Sequence, residues 1–246
     1  MRLDPNQVVA VVLAGGFGTR VAHLLPGIPK PMAPVAGKPF LEWVARYLAR
    51  QSIRNVVFST GHLSDVIEDY FRKEPVIGIK TRCVAETQPL GTAGGFLHAA
   101  RHSGESPAAW LVLNGDSLVL TDLEPAWRAM ADPAISGVVL GCVVEDASRY
   151  GTLAVSAGGE LTGFAEKRPG RGVINAGVYL LRDSVLAAMN GPLPLSFETD
   201  VFPRLLREKA RIKVVEVRAP FLDIGTPNSL REAERFVREN RSQFEP

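Results

Sequence analysis

Apolar residues in the first half of the chain follow two alternating rhythms. Short, nearly unbroken runs have the length and β-branched content of strands buried on both faces: VVAVVLAG at 8–15, NVVFST at 55–60, IKTRCVAE at 79–86 and AWLVLNGD at 109–116. Between them, 40–50 carries Leu41, Val44, Tyr47 and Leu48 at helical spacing, with Glu42 and Arg46 four apart; 64–73 and 92–102 are further predicted helices. Pro39 suits the first helical position, where a missing N–H costs nothing. This alternation predicts an α/β fold, a Rossmann-like, mostly parallel sheet with helices on both faces. Ligands of such sheets bind beyond the carboxyl ends of the strands, so the loop after the first run and Asp116 should share one rim.

After Asp132 the rhythm changes. Segments 137–146, 151–167 and 174–182 read as strands joined by short turns, with a hairpin at Gly158-Gly159, forming a smaller antiparallel β part. Helices are expected at 183–189 and 199–209, a strand at 212–217, and a last helix capped by Thr226 with Pro227 in its first position. With no long linker, repeat or low-complexity segment, 1–246 reads as a single domain.

Composition narrows the classes. The 246 residues are 46% hydrophobic and 22% charged, as in ordinary globular proteins. No apolar run approaches the roughly 20 residues that span a bilayer, and 1–7 lacks signal-peptide character, so a cytoplasmic location without a membrane partner is expected. A net charge of +2 is too small for a nucleic-acid footprint; an anionic ligand must be met by cations placed locally. Cys83 and Cys142, without CxxC spacing and within apolar stretches, read as buried free thiols. Oligomeric state stays open, a homo-oligomer included.

The candidate chemistry begins in LAGGFGTRVAHLLPGIPKPM, 13–32. Gly15, Gly16 and Gly18 after a strand permit close approach of a ligand to the backbone. The stretch is no dinucleotide fingerprint, because Val21 stands where the third glycine belongs, and no Walker loop, because Lys38 is followed by proline. A dinucleotide-dependent oxidoreductase is therefore disfavoured. Arg20 offers a fork of donors and Lys30 a compact charge, both suited to phosphate, and Pro29 and Pro31 restrict the backbone carrying Lys30. Asp116 and Asp223 each end an apolar run beside glycine. Such carboxylates suit Mg²⁺, although a turn or cap aspartate has the same surroundings.

LAGGFGTR…PKPM, LGTAGG, LNGD, FAEK with NAGVY, and FLDIGTP occur in order from Leu13 to Pro227. In this ordered set the chain resembles the sugar-1-phosphate nucleotidyltransferases (nucleotide-sugar pyrophosphorylases), nearest to the D-glycero-α-D-manno-heptose 1-phosphate guanylyltransferases, with mannose-1-phosphate guanylyltransferases next. The resemblance implies a glycosyltransferase-A-like nucleotidyltransferase fold, with about 8–132 binding nucleotide and about 133–246 binding sugar phosphate. It implies an enzyme that uses Mg²⁺ to join GTP, or another nucleoside triphosphate, to a sugar 1-phosphate. It places Arg20 and Lys30 at the reacting phosphates and the metal on Asp116 and Asp223. Leu13, Ala14, Gly15, Gly16, Gly18, Thr19, Glu86, Gly91 and Thr92 would bind the nucleotide; Asn114, Gly151, Glu166, Lys167 and Asn175 would bind the sugar and its phosphate. The run from GTR into VAHLLPGI departs from the family pattern and leaves the path of the loop open.

Glu86 bears on the base. Uridylyl and thymidylyl relatives usually have glutamine five residues before the glycine matching Gly91. An ionised carboxylate only accepts hydrogen bonds, and guanine presents two adjacent donors, N1–H and the 2-amino group. Glu86 thus favours GTP, unless it is a strand-end surface glutamate. No residue can be assigned to the sugar's exocyclic tail, the only part in which a manno-heptose departs from mannose. A non-catalytic nucleotide-sugar sensor is the remaining class; the presence together of Arg20, Lys30, Asp116 and Asp223 argues against it, since binding alone needs fewer of them.

Overall fold

The protein, seen here as a computed structural model, is described over residues 3–165 and 169–245. Strand β1 (Val8–Ala14) lies at the centre of a nine-stranded sheet, and its alternation divides the interior. Val8, Ala10 and Val12 face one apolar cluster, and Val9 and Val11 face the other.

The chain leaves β1 through a long loop and the two-residue strands β2 (Pro34–Val35) and β3 (Lys38–Pro39), then enters α1 (Phe40–Arg50). Pro39 caps this helix rather than opening it, because it also pairs with Pro34. Next come β4 (Asn55–Thr60), α2 (Ser64–Lys73), β5 (Lys80–Ala85), α3 (Thr92–His102) and β6 (Ala109–Asn114). Strands β4 and β5 add in parallel on one side of β1, whereas β6 adds in parallel on the other. The order therefore reverses between β1 and β6, which opens a crevice at their carboxyl ends. Helices α1 and α2 pack on the Val8 face and α3 on the Val9 face.

Strand β7 (Ser117–Val119) and the short helix α4 (Glu124–Ala129), neither expected from the pattern, precede β8 (Ile135–Val144). A β-hairpin of β9 (Thr152–Val155) and β10 (Leu161–Ala165) follows, turning at Gly158-Gly159 as expected. Strand β11 (Gly172–Arg182) runs antiparallel to both β6 and β8 and carries the sheet into its antiparallel part. Residues 183–188 form a 3-10 helix, and 197–201 a π-helical turn leading into α5 (Phe202–Arg207). That turn begins before the expected residue 199 because Ser196 Oγ accepts from the N–H groups of Glu198 and Thr199. Strand β12 (Arg211–Val217), β13 (Phe221–Asp223) and α6 (Pro227–Glu239) complete the chain. Thr226 caps α6 through a reciprocal pair with Ser229, as the sequence predicts.

Both cysteines are free; Cys142 is buried, and Cys83 only partly, with burial pushing its thiol up to about 12. Among the described residues no helix is long and apolar enough to cross a membrane.

Helix α1 is buried more broadly than its spacing predicts. Trp43 meets Phe244 edge-on at 5.3 Å and donates to Val35 O at 2.8 Å, so the side away from the sheet is also covered. Glu42 is only 2% exposed. Burial pushes its carboxyl up, but bonds from Lys38, Tyr70 and Arg46 outweigh that and hold it below the usual value. Replacing Glu42 by Gln (E42Q) should lower the unfolding free energy by about 1–3 kcal/mol, measured by urea denaturation at neutral pH. Because the folded carboxyl titrates below its unfolded value, this stabilisation is complete above about pH 4.3 and disappears as pH falls through the folded value. The two proteins should converge in acid.

Candidate functional site

The crevice between β1 and β6 holds a cavity of about 310 Å³. Leu13, Ala14, Gly15, Gly16, Lys30, Glu86, Gly91, Thr92, Asn114 and Asp116 line it, so ten of the residues singled out in the sequence meet around one space. Gly18 lines a smaller hollow beneath the loop, while Thr19 and Arg20 are exposed on the loop's tip.

The loop doubles back on itself. Gly18 has φ +58°, and a Cβ there would lie 2.7 Å from Lys30 Cβ, so both the backbone conformation and the close passage of Lys30 require glycine. Lys30 opens a 3-10 turn at 30–32, with Pro29 extended before it and Pro31 and Met32 buried after it. The prolines thus root the cation while the tip stays outside. From this root Lys30 forms an ion pair with Asp116 Oδ2.

The two aspartates meet because their strands pair. Strand β7, directly after Asp116, is antiparallel to β13, with Ser117 opposite Asp223, and Ile224 N–H donates to Asp116 O at 2.9 Å. Burial, followed by the charge of Asp116, pushes the Asp223 carboxyl up; the Gly225 N–H at 2.5 Å, Lys30 and Arg149 pull it back. Arg20 reaches the same turn, its Nη2 lying 3.6 Å from where a Cβ on Gly225 would sit. Two carboxylates and two cations therefore converge at the mouth of the cavity.

Glu86 occupies a slot floored by glycine. A Cβ on Gly15 would stand 2.6 Å from Glu86 Oε1, so a side chain there would displace the carboxyl group from this position. Burial pushes this carboxyl up, and the backbone of Leu90 partly offsets that. Glu86, half-buried, also lines a second hollow with Phe17, His62 and Pro89, so it borders two openings.

On the antiparallel side, Gly151 O accepts from Asn175 N–H at 3.0 Å, which ties two of the expected sugar-side residues together. Asn175 Nδ2 donates to Tyr179 Oη at 2.7 Å and to Glu198 Oε1 at 3.3 Å. Glu198 also accepts from Tyr179 Oη at 2.8 Å, Ser196 Oγ at 2.9 Å and Thr92 Oγ1 at 3.4 Å. This carboxylate joins the helix α3 side of the cavity to Asn175. Sequence reasoning left it just ahead of the helix expected at 199–209 and assigned it no role. Strand alternation could have grouped Tyr179 with Asn175, but nothing local points to Glu198. Glu166 and Lys167 lie outside the described residues. Single changes E198Q and Y179F should each cost about 1–2 kcal/mol, and the double variant should fall short of their sum by about 0.5–1.5 kcal/mol in chemical denaturation. Full additivity would mean that the two groups do not share one network.

Residues 9–240 match the family model for nucleotidyl transferases. A D-glycero-α-D-manno-heptose 1-phosphate guanylyltransferase from Aneurinibacillus thermoaerophilus is 32% identical over 92% of this chain and 96% of its own length. A mannose-1-phosphate guanylyltransferase from Mycobacterium tuberculosis is 33% identical over 95% of this chain, which spans 64% of that protein. The crystal structure of HddC from Yersinia pseudotuberculosis complexed with GMP-PN superposes with a TM-score of 0.81 at 31% identity, covering 92% of this chain and 98% of that one. A family match over nearly the whole chain, on a fold shared with such a structure, leads to one assignment: the chain belongs to the nucleotidyl transferase family.

Proposed function

We propose that the protein transfers GMP from GTP to a sugar 1-phosphate, with D-glycero-α-D-manno-heptose 1-phosphate as the favoured acceptor, giving a GDP-sugar and pyrophosphate. The observation that carries this reading is the meeting of Asp116, Asp223, Lys30 and Arg20 beside a cavity that also exposes Glu86. The heptose is favoured by the relative similar over nearly its whole length; mannose 1-phosphate is the alternative acceptor.

The acidic pair suits Mg²⁺. Among the described residues no group of three or more His, Cys, Asp or Glu is placed to hold a metal, and Mg²⁺ characteristically takes only one or two carboxylates, filling its octahedron with water and phosphate. Burial, and after it the charge of Asp116, raise the Asp223 carboxyl, and a cation bound beside the pair would offset the second of these. Asp116 and Asp223 would hold the ion, which when bound supplies charge neutralisation and Lewis-acid polarisation at the phosphoryl oxygens.

An oxygen of the sugar 1-phosphate attacks the α-phosphorus in line, forming one P–O bond as the bond to the β-phosphate breaks and its electron pair leaves with pyrophosphate. The nucleophile is already anionic near neutral pH, so no side chain has to remove a proton. The obstacle is repulsion: two unit charges about 4 Å apart repel by roughly 4 kcal/mol at an effective dielectric near 20. Arg20, on the exposed tip, closes on the β- and γ-phosphates. Lys30 exchanges Asp116 for a phosphoryl oxygen whose charge grows in the transition state. Backbone at Leu13–Gly16, Gly91 and Thr92 cradles the nucleotide, and Glu86 accepts the two guanine donors. Asn114, Gly151 and Asn175 position the sugar, with Glu166 on its hydroxyls and Lys167 on its phosphate by family resemblance.

A matrix of nucleoside triphosphates against sugar 1-phosphates, read by pyrophosphate release, tests the reaction; GTP with the manno-heptose 1-phosphate should be the best pair. No pyrophosphate from any pair would leave a binding protein. Asp116→Asn should lower kcat by at least about 100-fold with the fold retained. Activity within a few-fold of wild type would remove Asp116 from the metal role. Glu86→Gln should reduce the kcat/KM preference for GTP over UTP by about 10-fold or more, and an unchanged preference would put base recognition elsewhere.

A further inference from the structure

Arg149, which the sequence reading did not single out, stands at the junction of the acidic pair and the sugar side. It lies between β8 and β9, exposed, with its guanidinium 5.4 Å from the centre of the Tyr150 ring. Tyr150 meets Phe221 edge-on at 5.4 Å, and Phe221 is two residues before Asp223. Arg149 Nη2 also donates to Thr226 Oγ1 at 3.4 Å, three residues after Asp223. Two residues further along its own segment, Gly151 O holds Asn175 N–H. The three-residue stretch 149–151 is thus fastened to the Asp223 turn at one end and to Asn175 at the other. Arg149 therefore stands on the segment that links the turn of Asp223 to Asn175.

The side chain is prepared for an anion. Among the described residues Arg149 forms no ion pair, whereas Arg46, Arg72, Arg211 and Arg238 each hold a carboxylate. Of its five N–H groups, one makes a long bond to a neutral hydroxyl, and the guanidinium lies over the face of the Tyr150 ring. A planar fork placed by these two contacts loses less freedom when it grips two oxygens of one phosphate. Its charge is also felt at Asp223.

We propose that Arg149 is a further substrate-binding residue, gripping the phosphate of the sugar 1-phosphate from the β8–β9 side while Lys30 approaches from the glycine-rich loop. This rests on the sugar-1-phosphate reading above. The grip neutralises the incoming nucleophile's second charge without touching the triphosphate, so its removal weakens one substrate and spares the other.

The test uses the full chain with Mg²⁺, GTP and D-glycero-α-D-manno-heptose 1-phosphate, comparing wild type with Arg149→Met, which keeps the aliphatic stem, and Arg149→Lys, which keeps the charge. For Arg149→Met, KM for the sugar phosphate should rise about 10- to 100-fold while KM for GTP stays within about twofold; Arg149→Lys should lie between it and wild type. Melting temperatures measured alongside should agree with wild type to about 2 °C. The proposal is overturned if KM for the sugar phosphate is unchanged. It is equally overturned if both KM values rise together with a lower melting temperature that Arg149→Lys does not restore, which would make Arg149 a structural clamp on α6. If wild type prefers another sugar 1-phosphate from the matrix, the same comparison is made with that substrate. Wild type inactive with every sugar 1-phosphate would defeat the functional reading and this proposal together; an active wild type with an indifferent Arg149→Met defeats only the latter.

Discussion

Two carboxylates held close together repel each other, and the active end of this molecule is organised around that repulsion. Asp116 and Asp223 are more than a hundred residues apart in sequence, yet the β7–β13 pairing puts Ser117 opposite Asp223 and leaves the acids little freedom to separate. Lys30 on Asp116 and the Gly225 N–H on Asp223 offset part of the cost. Burial first, and the neighbouring Asp116 charge second, hold the Asp223 carboxyl above its usual value. Positive charge added beside the pair would screen both acids, which is why it suits the metal proposed above.

Around this pair, rigid and yielding parts are divided by burial. The Glu86 carboxyl fills the space that a side chain on Gly15 would need, and Glu198 gathers donors from α3, β11 and its own turn. Such contacts hold each group in place, as the base and sugar recognition proposed above would require. The loop differs along its length: Pro31 and Met32 are buried at its root, whereas Gly16, Phe17, Thr19 and Arg20 are exposed at its tip. One cation is thereby stationed at the cavity, and the other stands exposed beside the Asp223 turn.

The central architecture was legible in the sequence because local signals agreed. Unbroken apolar runs such as 55–60 and amphipathic stretches such as 64–73 and 92–102 match the observed elements, and Thr226-Pro227 caps the last helix as expected. Disagreements arise where distant residues intervene. Glu42 has the spacing of a surface ion-pair partner, but Tyr70 from α2 and Lys38 from β3 also close on it. Residues 183–188 and 197–201 have helical composition but are too short, and too constrained at Ser196, to settle into regular α-helix.

The candidate site divides along the same line. Which chemical groups are present, glycines for close approach, cations and carboxylates at strand ends and loops, and the acceptor Glu86, was set by residue identity and local context, since these depend on side-chain chemistry and on strand ends. Which groups face one another was decided only by tertiary structure. The reversal of strand order between β1 and β6 opens the crevice, the β7–β13 ladder joins the aspartates, and the Ser196 turn carries Glu198 to Asn175. Sequence periodicity describes a strand's own faces. It carries no record of the strand that will lie beside it, because pairing depends on burial summed over the whole chain.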